Sequence, residues 1–289
     1  MARSVTVHLY TICWDEADML PFFFRHYDPW VDRYVVYDDG STDGSLELLA
    51  AHPKVELRRF ERSVEGSFVL SHTRLQNSVW KESRGTADWV VVTALDEHLF
   101  VPGKDMRRYL ADQRERGTTI VPALGFDTIS ETLPEAGTRL VDEARLAVPD
   151  MRFNKLSIFD PSAIERPRFS PGRHLARPQG RVRRPQMTEL VLFHFKNLGY
   201  EQTRARQRAE GMRLGEGDRA KQFGAHYLAS DESFRKTWDE RMSRAIRVSA
   251  EVSPAALAQG PFWWTVSGRL VLLARKLRRM ISDRMRRAG

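Results

Sequence analysis

Cysteine is nearly absent from the 289-residue chain: Cys13 is the only one. An intramolecular disulfide is therefore excluded, and a single thiol fits a reducing compartment. With no Cys or His partner at metal-ligand spacing, Cys13 reads as a small core hydrophobe. Long apolar runs are missing too. No stretch reaches the roughly 18 uncharged apolar residues that a spanning helix needs. The opening "MARSVTVHLYTICWDEAD" has no apolar core ahead of a cleavage site, so a cytoplasmic protein without a signal peptide is expected. Neither the G-x-G-x-x-G phosphate signature nor the P-loop signature occurs, and there is no internal repeat. The basic residues are scattered and no aromatic-basic module is present, which argues against nucleic acid as a partner.

Apolar residues make up 42% of the chain, enough for one large domain or a domain with an appendage. The formal net charge is +8, carried mainly by arginine. Such a balance suits an anionic partner, a phosphate or a membrane surface, and it also suits a genome that favours Arg codons.

Up to about residue 125, short β-rich runs alternate with helical ones. Strands are expected over 4–12, 33–39, 54–60, 88–97 and 118–126. Helices are expected after Pro21, over 44–52, over 71–85 with Ser71 as N-cap and Gly85 as stop, and over 103–117. This alternation predicts an α/β fold: a mainly parallel central sheet with helices on both faces. Residues 127–150 read as a loop with a short helix, 151–160 and 189–197 as strands, and the chain from about 200 onward as helical. The expected division is an α/β domain over 1–199 and a helical C-terminal extension over 200–289, packed on it or facing a membrane.

Two of the strands end in carboxylates. "VVYDDGSTDG" places Asp38 and Asp39 at one tip, and "DWVVVTALDE" places Asp96 and Glu97 at another. In open α/β sheets, ligands bind at the carboxyl ends of the strands. Carboxylates there can accept hydrogen bonds from a base and ribose, or hold a divalent cation that bridges to phosphate. Equally, Asp38, Ser41 and Asp43 can shape a turn and cap the following helix.

The stretch "WDEADMLPFFFRHY…VDRYVVYDDGSTDGSLELL…DWVVVTALDEHLF" resembles family 2 glycosyltransferases of GT-A fold, in the subgroup whose N-terminal motif is Asn-Glu-Ala followed by a helix. The likeness continues through "FNKLSIFDPSAI", "SPGRHLARPQG", "LFHFKNLGYE" and "FGAHY", to about residue 228. It implies sugar transfer from a nucleoside-diphosphate sugar, usually with Mg²⁺ or Mn²⁺, in polysaccharide or glycoconjugate synthesis, onto a saccharide or lipid-linked acceptor. By the same resemblance Glu16 lies near the nucleoside, Asp39 accepts from the base, Asp96 is the last aspartate of an Asp-x-Asp metal motif, and His194 is a further metal or diphosphate contact. The chain departs from the pattern at Asp15, in place of Asn, and at Ala94, in place of the first aspartate of that motif. The second departure leaves an alternative open: a nucleotide-sugar or polyanion binding protein without turnover.

Inversion at the anomeric carbon needs a base for the acceptor hydroxyl. Asp127 and Glu131, in "GFDTISETLPEAG", are the candidates, with Glu131 ahead. Lys155 and Lys196 are candidates to neutralise phosphates. The C-terminal segment from Trp263 carries eight Arg or Lys against one Asp, beside a Trp pair and "LVLL". It fits either peripheral contact with the inner face of an anionic membrane, with the Trp pair at headgroup depth, or packing on the domain with Trp263 and Trp264 buried.

Overall fold

In the computed structural model of the chain, residues 4–135, 137–143, 145–248 and 253–274 are described. In chain order the strands are β1 (Val7–Cys13), β2 (Arg33–Asp38), β3 (Val55–Arg59), β4 (Trp89–Val92), β5 (Glu97–Phe100), β6 (Ile120–Pro122), β7 (Leu124–Ser130), β8 (Leu146–Pro149), β9 (Leu156–Phe159), β10 (Ile164–Arg166), β11 (Gln179–Gly180), β12 (Val191–Leu198) and β13 (Ile246–Arg247). The helices are α1 (Leu20–Tyr27), α2 (Ser45–Ala51), α3 (Phe68–Gln76), α4 (Met106–Glu115), α5 (Leu140–Glu143), α6 (Tyr200–Arg213), α7 (Glu216–Ala220), α8 (Asp231–Arg244) and α9 (Pro254–Leu257).

The first sheet has the order β3-β2-β1-β4-β9-β6. Its first four strands are mutually parallel, and β9 runs antiparallel to both β4 and β6. Val, Leu and Trp fill β1, β2 and β4, and Val7, Leu9, Val35, Val36, Trp89, Val90 and Val91 are fully buried, as in a sheet covered on both faces. Pro21 lies in the first turn of α1, where its missing N–H costs nothing. That helix buries Leu20, Phe22, Phe23 and Tyr27 against the sheet.

Three expected elements differ. The strand expected over 88–97 ends at Val92, and after a turn Glu97 opens β5 instead of closing that strand. The helix expected from Ser71 starts four residues earlier: Ser67 is the N-cap, its Oγ accepting from Leu70 N at 3.1 Å. Ser71 instead turns its hydroxyl back onto the Ser67 carbonyl at 2.8 Å, inside the helix. Phe68 supplies the buried side chain of the first turn. The single strand expected over 118–126 is two strands, broken at Ala123, and the chain changes sheets there. Pro122 cannot donate to a ladder, and the β6–β9 register shifts beside it.

The second sheet, β13-β8-β7-β12-β5, contains the strand expected over 189–197 as β12, but its pairings were not expected. Only β7 and β12 are parallel in it. The segment read as a loop with a short helix over 127–150 does hold the short α5, but it also supplies the end of β7 and all of β8. Gly125 in β7 is required by a close crossing: a Cβ there would lie 2.1 Å from the Phe153 carbonyl carbon.

The described residues beyond 200 are largely helical as expected, except that β13 joins the second sheet and Val248, Trp263 and Trp264 enter the main core. Trp263 and Trp264 are only 6% and 4% exposed, and Trp263 Nε1 donates to the Asn154 carbonyl at 2.7 Å. The tryptophans therefore do not lie at headgroup depth; they anchor the segment to the fold. Residues 266–274 are helical, and the remainder of the basic segment, 275–289, lies outside the described residues. Among the described residues no helix is long and apolar enough to cross a membrane.

Candidate functional site

The acidic pair at the tip of β2 is divided between two jobs. Asp38 accepts from the N–H groups of Gly40 at 2.9 Å and Ser41 at 3.2 Å and so closes the turn, while Gly40 at φ +84° supplies the left-handed conformation. Asp43 accepts from Ser45 N at 3.0 Å and reaches across to Ala17 N at 2.8 Å. Ser45 Oγ accepts from Glu16 N at 2.8 Å. These bonds lash the exit of β1 to the exit of β2. They hold Glu16 and Asp39 at neighbouring strand ends.

Both acids are met by arginines of α6. Arg206 grips Glu16 with two nitrogens, one of them at 2.7 Å, and Arg213 bonds Asp39. The Arg213 guanidinium carbon also lies over Trp14, 3.6 Å from the ring centroid. Burial pushes the Asp39 carboxyl up, but His72, Arg213 and Arg62 outweigh it and hold the group below the ordinary carboxylate value.

The second sheet sets three more groups abreast. Glu97 on β5 is directly opposite His194 on β12, which is directly opposite Asp127 on β7. Directly paired residues share a face. Asp96, in the turn before β5, joins the row: its Oδ2 lies 3.4 Å from His194 Nε2, and its carbonyl accepts from Phe195 N at 2.7 Å. On the other side, His194 Nδ1 lies 3.2 Å from Asp127 Oδ1. Phe153 stacks on the imidazole at 4.2 Å. With Nδ1–H donating to Asp127, the Nε2 lone pair faces the Asp96 carboxylate. Two acceptors then face each other, an arrangement that a shared proton or cation relieves.

Glu97 faces a different set. It takes Lys155 Nζ at 2.5 Å, the Arg173 guanidinium, Thr93 Oγ1 at 3.0 Å and Ala94 N at 3.1 Å, all with almost no solvent contact. The Lys155 ammonium is thus committed to a carboxylate rather than free for phosphate. Lys196 differs. Its Nζ donates to Tyr227 Oη at 2.8 Å and lies over that ring, and among the described residues no carboxylate comes within 4.0 Å of it. Burial pulls the Lys196 ammonium down, but Tyr227 and the nearby Asp96 and Glu210 outweigh it and push it above the ordinary lysine value.

These groups border one cleft of about 650 Å³. Glu16, Asp96, Asp127, Lys155, His194 and Lys196 line it; Asp39 reaches it through its partners Arg213 and His72, which do. Glu131 does not: it is exposed on the loop just past β7. Asp127 is in the cleft but engaged, by His194, by Asn197 Nδ2 at 3.0 Å and by Arg241 Nε at 3.1 Å. The sequence reading missed Trp14, Arg173, Arg206 and Arg213.

The residues present fit one kind of metal site and not another. Among the described residues no group of three or more His, Cys, Asp or Glu side chains could hold an ion by itself. Asp96 and His194 offer two donors 3.4 Å apart. Adjacent ligands of an octahedral cation with bonds of about 2.1 Å lie about 3 Å apart. The pair suits a divalent ion that completes its shell with diphosphate oxygens and water, not a resident protein-caged ion.

No family model matches the chain, and no curated protein matches it. Among solved structures, one described as 4-diphosphocytidyl-2C-methyl-D-erythritol synthase is similar over 55% of this chain and 77% of its own, at 12% identity and a TM-score of 0.30. Another, HddC from Yersinia pseudotuberculosis, is similar over 68% and 83% respectively, at 8% identity and a TM-score of 0.24. Likenesses this distant carry no functional argument, and function is read from the chemistry of the cleft.

Proposed function

We propose that the chain is a glycosyltransferase that moves a sugar from a nucleoside-diphosphate donor to a hydroxyl acceptor with inversion. The observation that carries this reading is Lys196, a cation without a carboxylate partner, pointing into a cleft where Asp96 and His194 face each other. Lys196 is half-buried, and an anion entering the cleft gives its ammonium the close counter-ion that Asp96 and Glu210, both beyond 4.0 Å, do not. The diphosphate is such an anion. In this reading Asp96 and His194 hold a divalent cation, Mn²⁺ or Mg²⁺, which when bound offsets charge on the leaving diphosphate. Lys196 and Arg206 supply fixed positive charge to the same oxygens. The acceptor oxygen bonds to the anomeric carbon as the bond to the diphosphate breaks, and the diphosphate leaves with the electron pair. Asp127, the one of the two proposed bases that lines the cleft, takes the hydroxyl proton. Lys155 acts through Glu97 as a positioning residue.

The test is a panel of nucleoside-diphosphate sugars scored for hydrolysis and thermal stabilisation, with and without Mn²⁺. No turnover with any donor but clear stabilisation would favour the second reading, a binding protein, which Ala94 supports: its N–H serves Glu97 and its side chain offers nothing to a ribose.

Two further outcomes are expected. Asp39→Ala weakens nucleotide binding by about 1–3 kcal/mol, the usual loss when a buried hydrogen-bonding partner goes; titration calorimetry showing unchanged affinity would remove Asp39 from the base pocket. Asp127→Asn lowers turnover by about 10²- to 10⁴-fold while donor affinity holds. A fall in Mn²⁺ affinity with turnover preserved at saturating metal would instead confine Asp127 to orienting His194.

A further inference from the structure

The helical stretch 266–274 has two unlike faces. Gly268 is buried and Leu272 packs on the main core, with the helix rooted by Trp263 and Trp264. Val266, Leu270 and Leu273, spaced i, i+4, i+7, are 73%, 63% and 54% exposed, and Val271 beside them is 43% exposed. Such spacing puts the first three on one side. Apolar side chains scattered singly over a surface are ordinary; a continuous stripe on a rooted helix is a contact surface.

The sequence C-terminal to the stripe indicates the partner. Residues 269–287 hold eight Arg or Lys against the lone Asp283. A second copy pressing its stripe on this one would bring two strongly basic segments together, which like charge opposes. An anionic surface that also accepts apolar side chains satisfies both features.

We propose that the stripe Val266–Leu270–Leu273, with the basic sequence C-terminal to it, docks on the surface of an anionic lipid bilayer. The docking geometry bears on the cleft. Trp263 is held by the Asn154 carbonyl, and Asn154 Nδ2 donates to the Gln259 carbonyl at 2.8 Å. Its two chain neighbours, Phe153 and Lys155, line the cleft. Docking therefore holds the cleft close to the headgroups, within reach of an acceptor carried on lipid. Lipid binding itself does not depend on the sugar-transfer reading.

The experiment is co-sedimentation of the full-length protein with phosphatidylglycerol-containing vesicles and with phosphatidylcholine vesicles. Binding is expected on the anionic vesicles alone, weakening with salt. The Leu270→Glu/Leu273→Glu variant is expected to lose at least about tenfold in partitioning, because it removes apolar burial and adds repulsion. Both side chains are exposed, so the variant's melting temperature should match the parent's. No sedimentation on anionic vesicles, or equal sedimentation of parent and variant, would overturn the proposal. So would light scattering that shows a dimer which the variant dissociates, or an acidic protein captured in the absence of lipid binding.

Discussion

On the proposed reading, replacing Asp96 with alanine is expected to abolish any Mn²⁺-dependent stabilisation by a nucleoside diphosphate, and turnover with it. The expectation rests on where Asp96 stands. It is buried in the turn between β4 and β5, and its carboxylate faces His194 across 3.4 Å. The turn does not depend on that carboxylate. It is closed by Glu97 N donating to the Ala94 carbonyl at 3.2 Å and by Phe195 N on the Asp96 carbonyl, both of which alanine keeps. The loss should therefore be local, with the unliganded melting temperature close to the parent's. At ligand a hundredfold above its dissociation constant, binding stabilises a protein by about 2.7 kcal/mol, ample for a thermal shift assay to register. Burial raises the Asp96 carboxyl, but His194 and Arg206 outweigh it and hold the group below the ordinary value of 3.8. It is therefore already ionised at neutral pH, as a metal ligand must be. Asp96→Asn, which preserves shape and removes charge, should behave like the alanine variant. A Mn²⁺-dependent shift that survives in both variants would take the metal away from Asp96 and leave the carboxylate as a partner of His194 alone.

The first sheet was legible because its signal is local. Runs such as "DWVVV" and "RYVVY" announce buried strands, and the acids after them mark where the strands end. The family resemblance pointed to Glu16, Asp39, Asp96 and His194; Glu16, Asp96 and His194 line one cleft, and Asp39 adjoins it through Arg213. The second sheet was illegible because its pairings join distant segments: β5 with β12, and β12 with β7, across gaps of about a hundred and about seventy residues. That ladder is what brings Asp127 to His194, and sequence spacing holds no trace of it. The arginines of α6 were hidden for another reason. "YEQTRARQRAEGMR" is charged nearly all round, so no apolar face marks which side it presents to the protein. Arg206 and Arg213 are seven residues apart, two helical turns, and therefore on one side. Only the position of Glu16 and Asp39 shows that this side faces the cleft. Lys155 and Lys196 looked alike in "FNK" and "HFK"; the difference is Glu97, which the fold sets against one and not the other.

Glu97→Ala is expected to destabilise the unliganded protein by about 3–5 kcal/mol, the usual effect of removing one partner from a buried ion pair and leaving the other charge uncompensated. Here two cations would be left. Lys155 and Arg173 are 5% and 2% exposed at their side chains, and each is bonded to Glu97. Arg173 keeps only neutral acceptors without it, the Val92 carbonyl and Ser157 Oγ. The cost belongs to the orphaned cations rather than to lost attraction, which can be tested separately. Replacing Glu97 with Leu and Lys155 with Met together should recover part of the loss of Glu97→Leu alone. The pH dependence comes from the same contacts. Burial raises the Glu97 carboxyl, but Arg173 and Lys155 outweigh it and hold it well below the ordinary glutamate value of 4.5. A group whose folded value is depressed binds its proton more readily in the unfolded chain. Its stabilisation is complete above the unfolded value and is lost as pH falls through the acid range toward the folded value. Parent protein should lose stability steeply below about pH 4.5, and Glu97→Gln, already uncharged, should show a shallower acid slope from a lower plateau. Chemical denaturation of both across the acid and neutral range reads both quantities. A Glu97→Ala protein within about 1 kcal/mol of the parent, or an acid slope unchanged in Glu97→Gln, would mean that water reaches this cluster and that Glu97 does not organise the floor of the cleft.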